Sequence, residues 1–291
     1  MPRRVAAVLL LLIALVDGDA HADIVVDAPP SLSAYADRIG RIDRAALAVA
    51  LTSAGLEMPA DIRVTLVAEA DTAARAVPGW VAGLAWGTRD IVIFPERVIS
   101  YPYDSLESVV HHEVVHLALN ARAGGAALPR WFHEGVATSA DIGWKTSARF
   151  QLLLAMLARP DTATLSRLFV SPSESETRQA YLLSALLVHD LRERYGPAMP
   201  GAVVRRVAEG MTFDAAFRAE TGDSPDTAAH TAWASYRRWT AWVPAITSPS
   251  AAWTLILMLA FVAFAAQRRR RARRRRQWDE ESGDRGRDAG P

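Results

Sequence analysis

The feature that most constrains this chain is the pentapeptide His112-Glu113-Val114-Val115-His116. Two histidines four residues apart on a helix project from one face about one turn apart, so both imidazoles can bind one metal ion. Glu113, rotated by about 100° from His112, can reach a water molecule on that ion. The spacing therefore predicts a helix that carries a zinc site.

The residues around the pentapeptide favour such a helix. Asp104 can cap its start, with Glu107 as the capping-box partner three residues later, and Gly124-Gly125 is expected to end it. Its apolar surface consists of Leu106, Val109, Val110, Val114, Val115 and Leu117.

A tetrahedral zinc ion that keeps one position for water needs a third protein ligand, commonly a carboxylate from a neighbouring helix. Glu134 is the candidate, within the segment Pro129-Arg130-Trp131-Phe132-His133-Glu134-Gly135-Val136-Ala137. It follows His116 by eighteen positions, which is enough for the first helix to end and an antiparallel helix to return past the metal.

HExxH followed by Trp-Phe-x-Glu-Gly-x-Ala resembles the gluzincin metallopeptidases, in particular the small peptidase-MA-like domains related to the catalytic cores of thermolysin-type and aminopeptidase-type enzymes. The similar region runs from about residue 81 to residue 195. The resemblance implies a zincin-like α+β fold, in which a small mixed or antiparallel sheet precedes the HExxH helix and a mainly helical part follows. It implies the same zinc ligands as the spacing, His112, His116 and Glu134.

The resemblance also implies chemistry. A zinc-activated water hydrolyses a peptide bond while Glu113, as general base, takes the proton and delivers it to the leaving amine. In gluzincins a Tyr or His from the helical part after the third ligand stabilises the oxyanion. Tyr181 is the candidate, because Gln179-Ala180-Tyr181-Leu182-Leu183-Ser184 is similar to the start of the family's downstream helix, and His189 is its rival. A core position with only the hydroxyl exposed is the alternative for Tyr181.

Other polar residues near the motifs are weaker candidates. His111 and His133 adjoin ligands but point about 100° away from them, which favours structural or solvent-facing roles. Asp141 can orient a ligand imidazole, although a solvated surface acid is the plainer interpretation. The thermolysin-type pattern places its orienting acid four residues after the third ligand, where this chain has Thr138.

Strand patterns cover residues 24–28, 62–67, 79–86 and 91–95, and helical patterns cover 31–54, 146–157, 163–169, 177–195, 202–209, 214–220 and 225–242. The last two strands form a predicted hairpin. In the family that the chain resembles, the strand before the HExxH helix borders the cleft, where an extended peptide adds as another strand. Ile91-Val92-Ile93-Phe94 is predicted to be that edge, with an ordinary core strand as the alternative.

Both ends of the chain point to a membrane. Residues 1–22 resemble a secretory signal peptide, with Arg3-Arg4, an apolar stretch and Ala20-His21-Ala22 as the cleavage site. An uncleaved N-terminal anchor is the alternative, and both export the rest of the chain. Residues 248–267 form an apolar helix about 30 Å long, matching a bilayer core, with a buried core helix as the alternative.

An arginine-rich tail, residues 268–291, contains ten Arg against five acidic residues. Such a tail stays in the cytoplasm, so residues 23–247 are predicted to be an extracytoplasmic catalytic domain on the cell (inner) membrane, held by a single pass. The tail can also bind anionic lipid or nucleic acid, but holding the topology is the plainer role.

Composition excludes several classes of function. The chain has no cysteine, which excludes disulfides, thiolate metal ligands and a cysteine nucleophile. Between residues 23 and 267 there are 21 basic and 25 acidic residues, so this mildly acidic region gives no sign of a nucleic-acid partner. The predicted partners are a peptide or protein substrate and the lipid bilayer.

The sequence therefore predicts a membrane-anchored zinc metallopeptidase. The alternative is a catalytically inactive peptidase-like domain that binds an envelope protein. The motif Gly-x-Met-x-Asn, which aminopeptidases use near the substrate amine, is absent, and this favours an endopeptidase over an exopeptidase.

Overall fold

A computed structural model describes residues 23–98, 105–139, 160–171, 173–240, 256–261, 263–264 and 266–268. The described residues up to Trp233 form one compact unit, and those from Ala234 onward belong to a second. The first unit is α+β, with one small sheet and a majority of helices.

The sheet has four strands in this part of the chain: β1 (Asp23–Asp27), β2 (Asp61–Leu66), β3 (Gly83–Trp86) and β4 (Asp90–Ile93). Their spatial order is β1-β2-β4-β3. β1 pairs parallel with β2 and β2 pairs parallel with β4, whereas β3 and β4 form the antiparallel hairpin. The sheet is therefore mixed, and β3 is one of its edges.

The helices before the site are α1 (Ser33–Gly40), α2 (Arg44–Ser53) and the short α3 (Thr72–Arg75), with 3-10 turns at Pro30–Leu32 and Pro95–Arg97. The site helices are α4 (Leu106–Ala123), α5 (Arg130–Ser139), α6 (Thr162–Leu168) and α7 (Glu174–Tyr195). They are followed by α8 (Met199–Ala208), α9 (Phe213–Thr221) and α10 (Pro225–Thr240).

The core lies between one face of the sheet and the helices. Strand residues alternate, so Ile62, Val64 and Ile91 are buried on one face, where α1 and α4 pack. On its other sides α4 contacts α5 and α8. The HExxH helix is thus central, which fixes its position relative to the β3 edge and to α5.

One predicted helix is wrong. Residues 31–54 form a 3-10 turn and two helices instead of one, because α1 ends at Gly40 and the Asp43 side chain accepts a hydrogen bond from the Ala46 N–H (3.0 Å), capping a new helix. Apolar residues keep their helical spacing across this break, so the hydropathy pattern did not indicate it.

Several predictions fall on residues outside those described. They concern the signal peptide 1–22, the helix 146–157, Asp104, Asp141 and most of the tail 268–291. The predicted span 248–267 is described only in parts. Among the helices that are described, none is long and apolar enough to cross a bilayer.

Candidate metal centre

The N-cap of α4 is Ser105, one residue after the predicted cap Asp104. The Ser105 hydroxyl accepts from the Ser108 N–H (3.1 Å) and the Ser108 hydroxyl accepts from the Ser105 N–H (3.3 Å), so these serines form the capping box. Glu107 is not part of it, because its carboxylate pairs with Arg38 (2.9 Å). Gly124, with φ at 59°, ends the helix as expected.

Three predicted ligands lie together. The Nε2 atoms of His112 and His116 are 3.0 Å apart, and Oε2 of Glu134 lies 3.5 Å from the first and 3.3 Å from the second. All three side chains are buried. The antiparallel return of α5 brings Glu134 to the histidines, as the eighteen-residue spacing implied.

These positions fit a metal ion. Ligand atoms about 2.0–2.1 Å from a tetrahedral zinc ion lie roughly 3.3 Å from one another, close to the separations of 3.0–3.5 Å found here. The buried Oε2 of Glu134 has no hydrogen-bond partner in the described part of the chain. The group His112, His116 and Glu134 can therefore hold a metal ion.

Gly135 explains how α5 and α7 come close enough to build the site. A Cβ atom added at Gly135 would lie 2.6 Å from the Ser184 carbonyl oxygen and 2.7 Å from Val188. Only glycine permits this approach without a shift. The Glu-Gly step thus presents a metal ligand and, at the next position, admits the helix that carries Tyr181.

Glu113 lies beside the three ligands, with 2% of its surface exposed. Burial raises its pKa to about 7, the charge of Glu134 adds to the rise, and His116 opposes it. The Ala85 N–H donates a hydrogen bond to it. Gly83 is also in close contact, because a Cβ there would lie 2.7 Å from Oε1 of Glu113.

Tyr181 reaches the site from α7. Its ring centroid is 6.2 Å from that of His112 and 5.1 Å from that of Phe169. Burial and the neighbouring Glu134 carboxylate raise the pKa of Tyr181 well above its usual value, so the hydroxyl keeps its proton at neutral pH. The rival His189 is exposed and does not line the cleft.

His133 contacts the site in a way that its sequence position did not predict. Its ring stacks on that of His116, with centroids 4.4 Å apart and planes within 6°, and its Nε2 lies 3.1 Å from Oδ1 of Asn120. Burial lowers the pKa of His133 to about 3, which keeps the ring neutral. Asn120 follows His116 by four residues, so the sequence places both on the same face of α4. This spacing was the available sign that Asn120 lies near the site.

The remaining candidates contribute less. His111 is half-buried and does not line the cleft. The Thr138 hydroxyl is buried with no hydrogen-bond partner among the described residues, and it offers no carboxylate to orient a ligand. Arg130, one turn before Glu134, lies 3.6 Å from the other carboxylate oxygen of that ligand and is half-exposed.

The ligands and Glu113 lie in a cleft of about 220 Å³. One wall is the segment from Trp80 to Ala85, and the other is the first two turns of α7. The edge strand predicted at Ile91–Phe94 is wrong, and its alternative, an ordinary core strand, is confirmed, because β4 pairs with β2 on one side and with β3 on the other. Among the described strands, β3 is the edge beside the cleft.

The β3 backbone faces the cleft at alternate residues. The Ala82 carbonyl accepts from the Phe94 N–H across the hairpin (2.9 Å), so the backbone groups of Gly83 and Ala85 point away from β4. The Ala85 N–H is the group that reaches Glu113.

Comparisons with protein-family models, with curated proteins and with solved structures find no match for this chain. Membership of the gluzincin family stays a prediction from the two motifs.

Proposed function

We propose that this chain is a membrane-anchored, extracytoplasmic zinc metallopeptidase. The observation that carries the proposal is the convergence of His112, His116 and Glu134 in one cleft, with the buried carboxyl of Glu113 beside them. Two imidazoles and one carboxylate are a common ligand set of catalytic zinc sites, which keep a further position open.

Zinc is proposed as the metal because two imidazoles and a carboxylate within these distances suit a tetrahedral ion. When bound, zinc lowers the pKa of a coordinated water and polarises a substrate carbonyl. The chain's part is to hold the three ligands in a buried position, which α4 and α5 do.

Glu113 is proposed as the general base. The Ala85 N–H holds its carboxyl at the cleft beside the three candidate ligands, where it can take up a proton and return it. The contact with Gly83 leaves the side chain little freedom to turn away.

Tyr181 is proposed as the donor that stabilises the developing oxyanion. Its hydroxyl stays protonated at neutral pH and interacts with the Glu134 carboxylate in the cleft. The Phe169 ring, packed edge-on at 5.1 Å, restricts the Tyr181 ring.

A peptide is the proposed substrate because the cleft is open between the β3 edge and α7. An extended chain can add to a free strand edge through its backbone. The proposed location outside the cytoplasmic membrane rests on the sequence patterns of residues 1–22 and 248–291.

A peptidase-like module that binds an envelope protein without cleaving it remains the second candidate. It would use the same cleft and the same free edge. The complete set of His112, His116, Glu134 and Glu113 favours the enzyme, because loss of activity usually erodes such a set.

The test is cleavage of a general protein substrate by the purified chain. We expect cleavage by the zinc-loaded protein, its loss on chelation, and its loss by at least about 100-fold in Glu113→Gln, which should still bind zinc. Metal content and unfolding curves of both proteins serve as controls.

An inactive parent that binds zinc would favour the binding module. A Glu113→Gln protein as active as the parent would refute the assigned base.

A further inference from the structure

Within the described ranges, no protein group makes the hydrogen bond to Nδ1 of His116 that usually orients a metal-binding imidazole. Such a histidine commonly donates its second N–H to a carboxylate, a carbonyl or a water. Nε2 of His116 points towards His112 and Glu134, while its Nδ1 is buried with no partner in the described ranges. The contacts that the described residues do make with this ring are therefore informative.

The His133 ring makes such a contact with His116. The two rings are parallel within 6° at a centroid separation of 4.4 Å, so the face of one covers the face of the other. Rotation of the His116 ring would break this stacking. Because His133 is one residue before Glu134, α5 carries both a ligand and the group that orients another ligand.

Asn120 holds the His133 ring in turn. The Gly87 carbonyl can only accept, so the amide group of Asn120 turns its Nδ2 towards it and donates (2.8 Å). The other amide atom, Oδ1, then faces Nε2 of His133 at 3.1 Å. An amide oxygen only accepts, so Nε2 of His133 carries the proton and donates it. A continuous set of contacts therefore runs from the β3–β4 turn through α4 and α5 to His116.

We propose that His133 and Asn120 are positioning residues: His133 sets the orientation of His116 by ring stacking, and Asn120 fixes His133 through a hydrogen bond. His133 is not a ligand in this arrangement, because the ligand atoms that converge in the described part of the chain belong to His112, His116 and Glu134. The inference rests on the metal-binding part of the proposed function.

The test separates stacking from hydrogen bonding by substituting His133 in the full chain. His133→Phe keeps a flat ring without the hydrogen bond, and His133→Leu removes the ring. Zn²⁺ affinity is measured by competition with a chromogenic chelator, and the geometry at the metal by the visible spectrum of the Co²⁺-loaded protein.

We expect His133→Leu to lose about 10–100-fold in Zn²⁺ affinity and to change the Co²⁺ spectrum. His133→Phe should keep both close to the parent. Asn120→Leu leaves the Nε2–H of His133 without its acceptor, unlike His133→Phe, which has no such N–H, so it should change the spectrum in the direction of His133→Leu with a smaller loss of affinity. The matched control is His189→Leu, the same substitution at an exposed histidine outside the cleft, which should change neither.

The proposal is overturned if His133→Leu keeps the affinity and spectrum of the parent, or if His133→Phe loses as much as His133→Leu. Should circular dichroism show that His133→Leu is unfolded, His133→Gln replaces it as the ringless variant. A folded parent that binds neither metal would refute the metal site itself, whereas a parent that binds Zn²⁺ without cleaving peptides would leave this inference intact and refute only the hydrolysis.

Discussion

The Tyr181 hydroxyl can be tested at the scale of one atom. Tyr181→Phe removes the hydroxyl and keeps the ring that packs on Phe169. We expect kcat to fall about 100–1000-fold, because the oxyanion loses a donor, while Zn²⁺ affinity stays near that of the parent. Steady-state kinetics and metal titration measure the two effects.

A Tyr181→Phe protein as fast as the parent would remove Tyr181 from the proposed mechanism. A large loss of kcat in His189→Ala would instead assign the role to His189.

Single residues show where reasoning from the sequence succeeded in the site. The four-residue spacing of His112 and His116 is local to one helix, and it placed both rings on one face. Glu134 was identified because the length of chain after His116 suits an antiparallel return. The stacking of His133 was not identified, since it depends on how α4 and α5 face each other, which the spacing within one helix does not encode.

The edge strand makes a prediction at the scale of elements. In Gly83→Ala the new methyl group would meet Glu113 and Val109 at less than 3.0 Å. The displaced base should lower kcat/KM about 100-fold, with the zinc content unchanged because no ligand is touched. Peptide hydrolysis and metal analysis check this outcome.

Gly79→Ala is the matched control, because a Cβ at Gly79 meets nothing within 4 Å. Equal losses in the two variants would mean that the Gly83 contact does not position Glu113.

A second prediction concerns the segment that leads into β3. Arg97 is buried and pairs with Glu69 (2.6 Å), and it also donates to the carbonyls of Ala74 (2.8 Å) and Pro78 (3.1 Å). The hydrogen bond and charge of Arg97 hold the pKa of Glu69 below its usual value of 4.5. Because this pKa is lower in the folded protein than in the unfolded chain, the ionised Glu69 stabilises the fold above pH 4.5. That stabilisation is lost as the pH falls through the pKa of Glu69 in the folded protein.

Glu69→Gln should therefore be less stable than the parent at pH 7, and the difference should shrink at pH 3. Urea unfolding of both proteins at the two pH values measures it. A difference that is the same at both would show that the carboxylate charge has no part in holding this segment.

Element boundaries were predicted within a few residues wherever a helix had clear ends, as for α6 and α9. The order of the strands in the sheet was not predicted. Hydropathy marks β3 and β4 as a hairpin, but which of them lies at the edge depends on the parallel pairing of β4 with β2, a contact between distant parts of the chain. The break between α1 and α2 was missed because apolar residues keep their helical spacing through it.

The arrangement across the membrane is the prediction for the whole molecule. When the chain is expressed with a C-terminal tag in a bacterium, we expect a mature protein that begins at Asp23, sediments with membranes and keeps its tag inside. N-terminal sequencing and protease treatment of intact spheroplasts measure this. A protein that begins at Met1 would favour the uncleaved anchor, and a tag digested from outside would refute the orientation.

At the same scale, the α+β class was predictable, because strand patterns precede the HExxH helix and helical patterns follow it. β1 starts at Asp23, directly after the predicted cleavage site, and pairs with β2 from its first residue.

The short β3 edge also limits what can occupy the cleft. Of the backbone groups that Gly83 and Ala85 turn outward, one N–H is already taken by Glu113. Within β3, an incoming chain has only the backbone groups of Gly83 and the Ala85 carbonyl left for main-chain pairing. Inhibitors of the proposed peptidase should accordingly be compact, with a metal-chelating head and one or two side groups, because lengthening them along the strand would add little affinity.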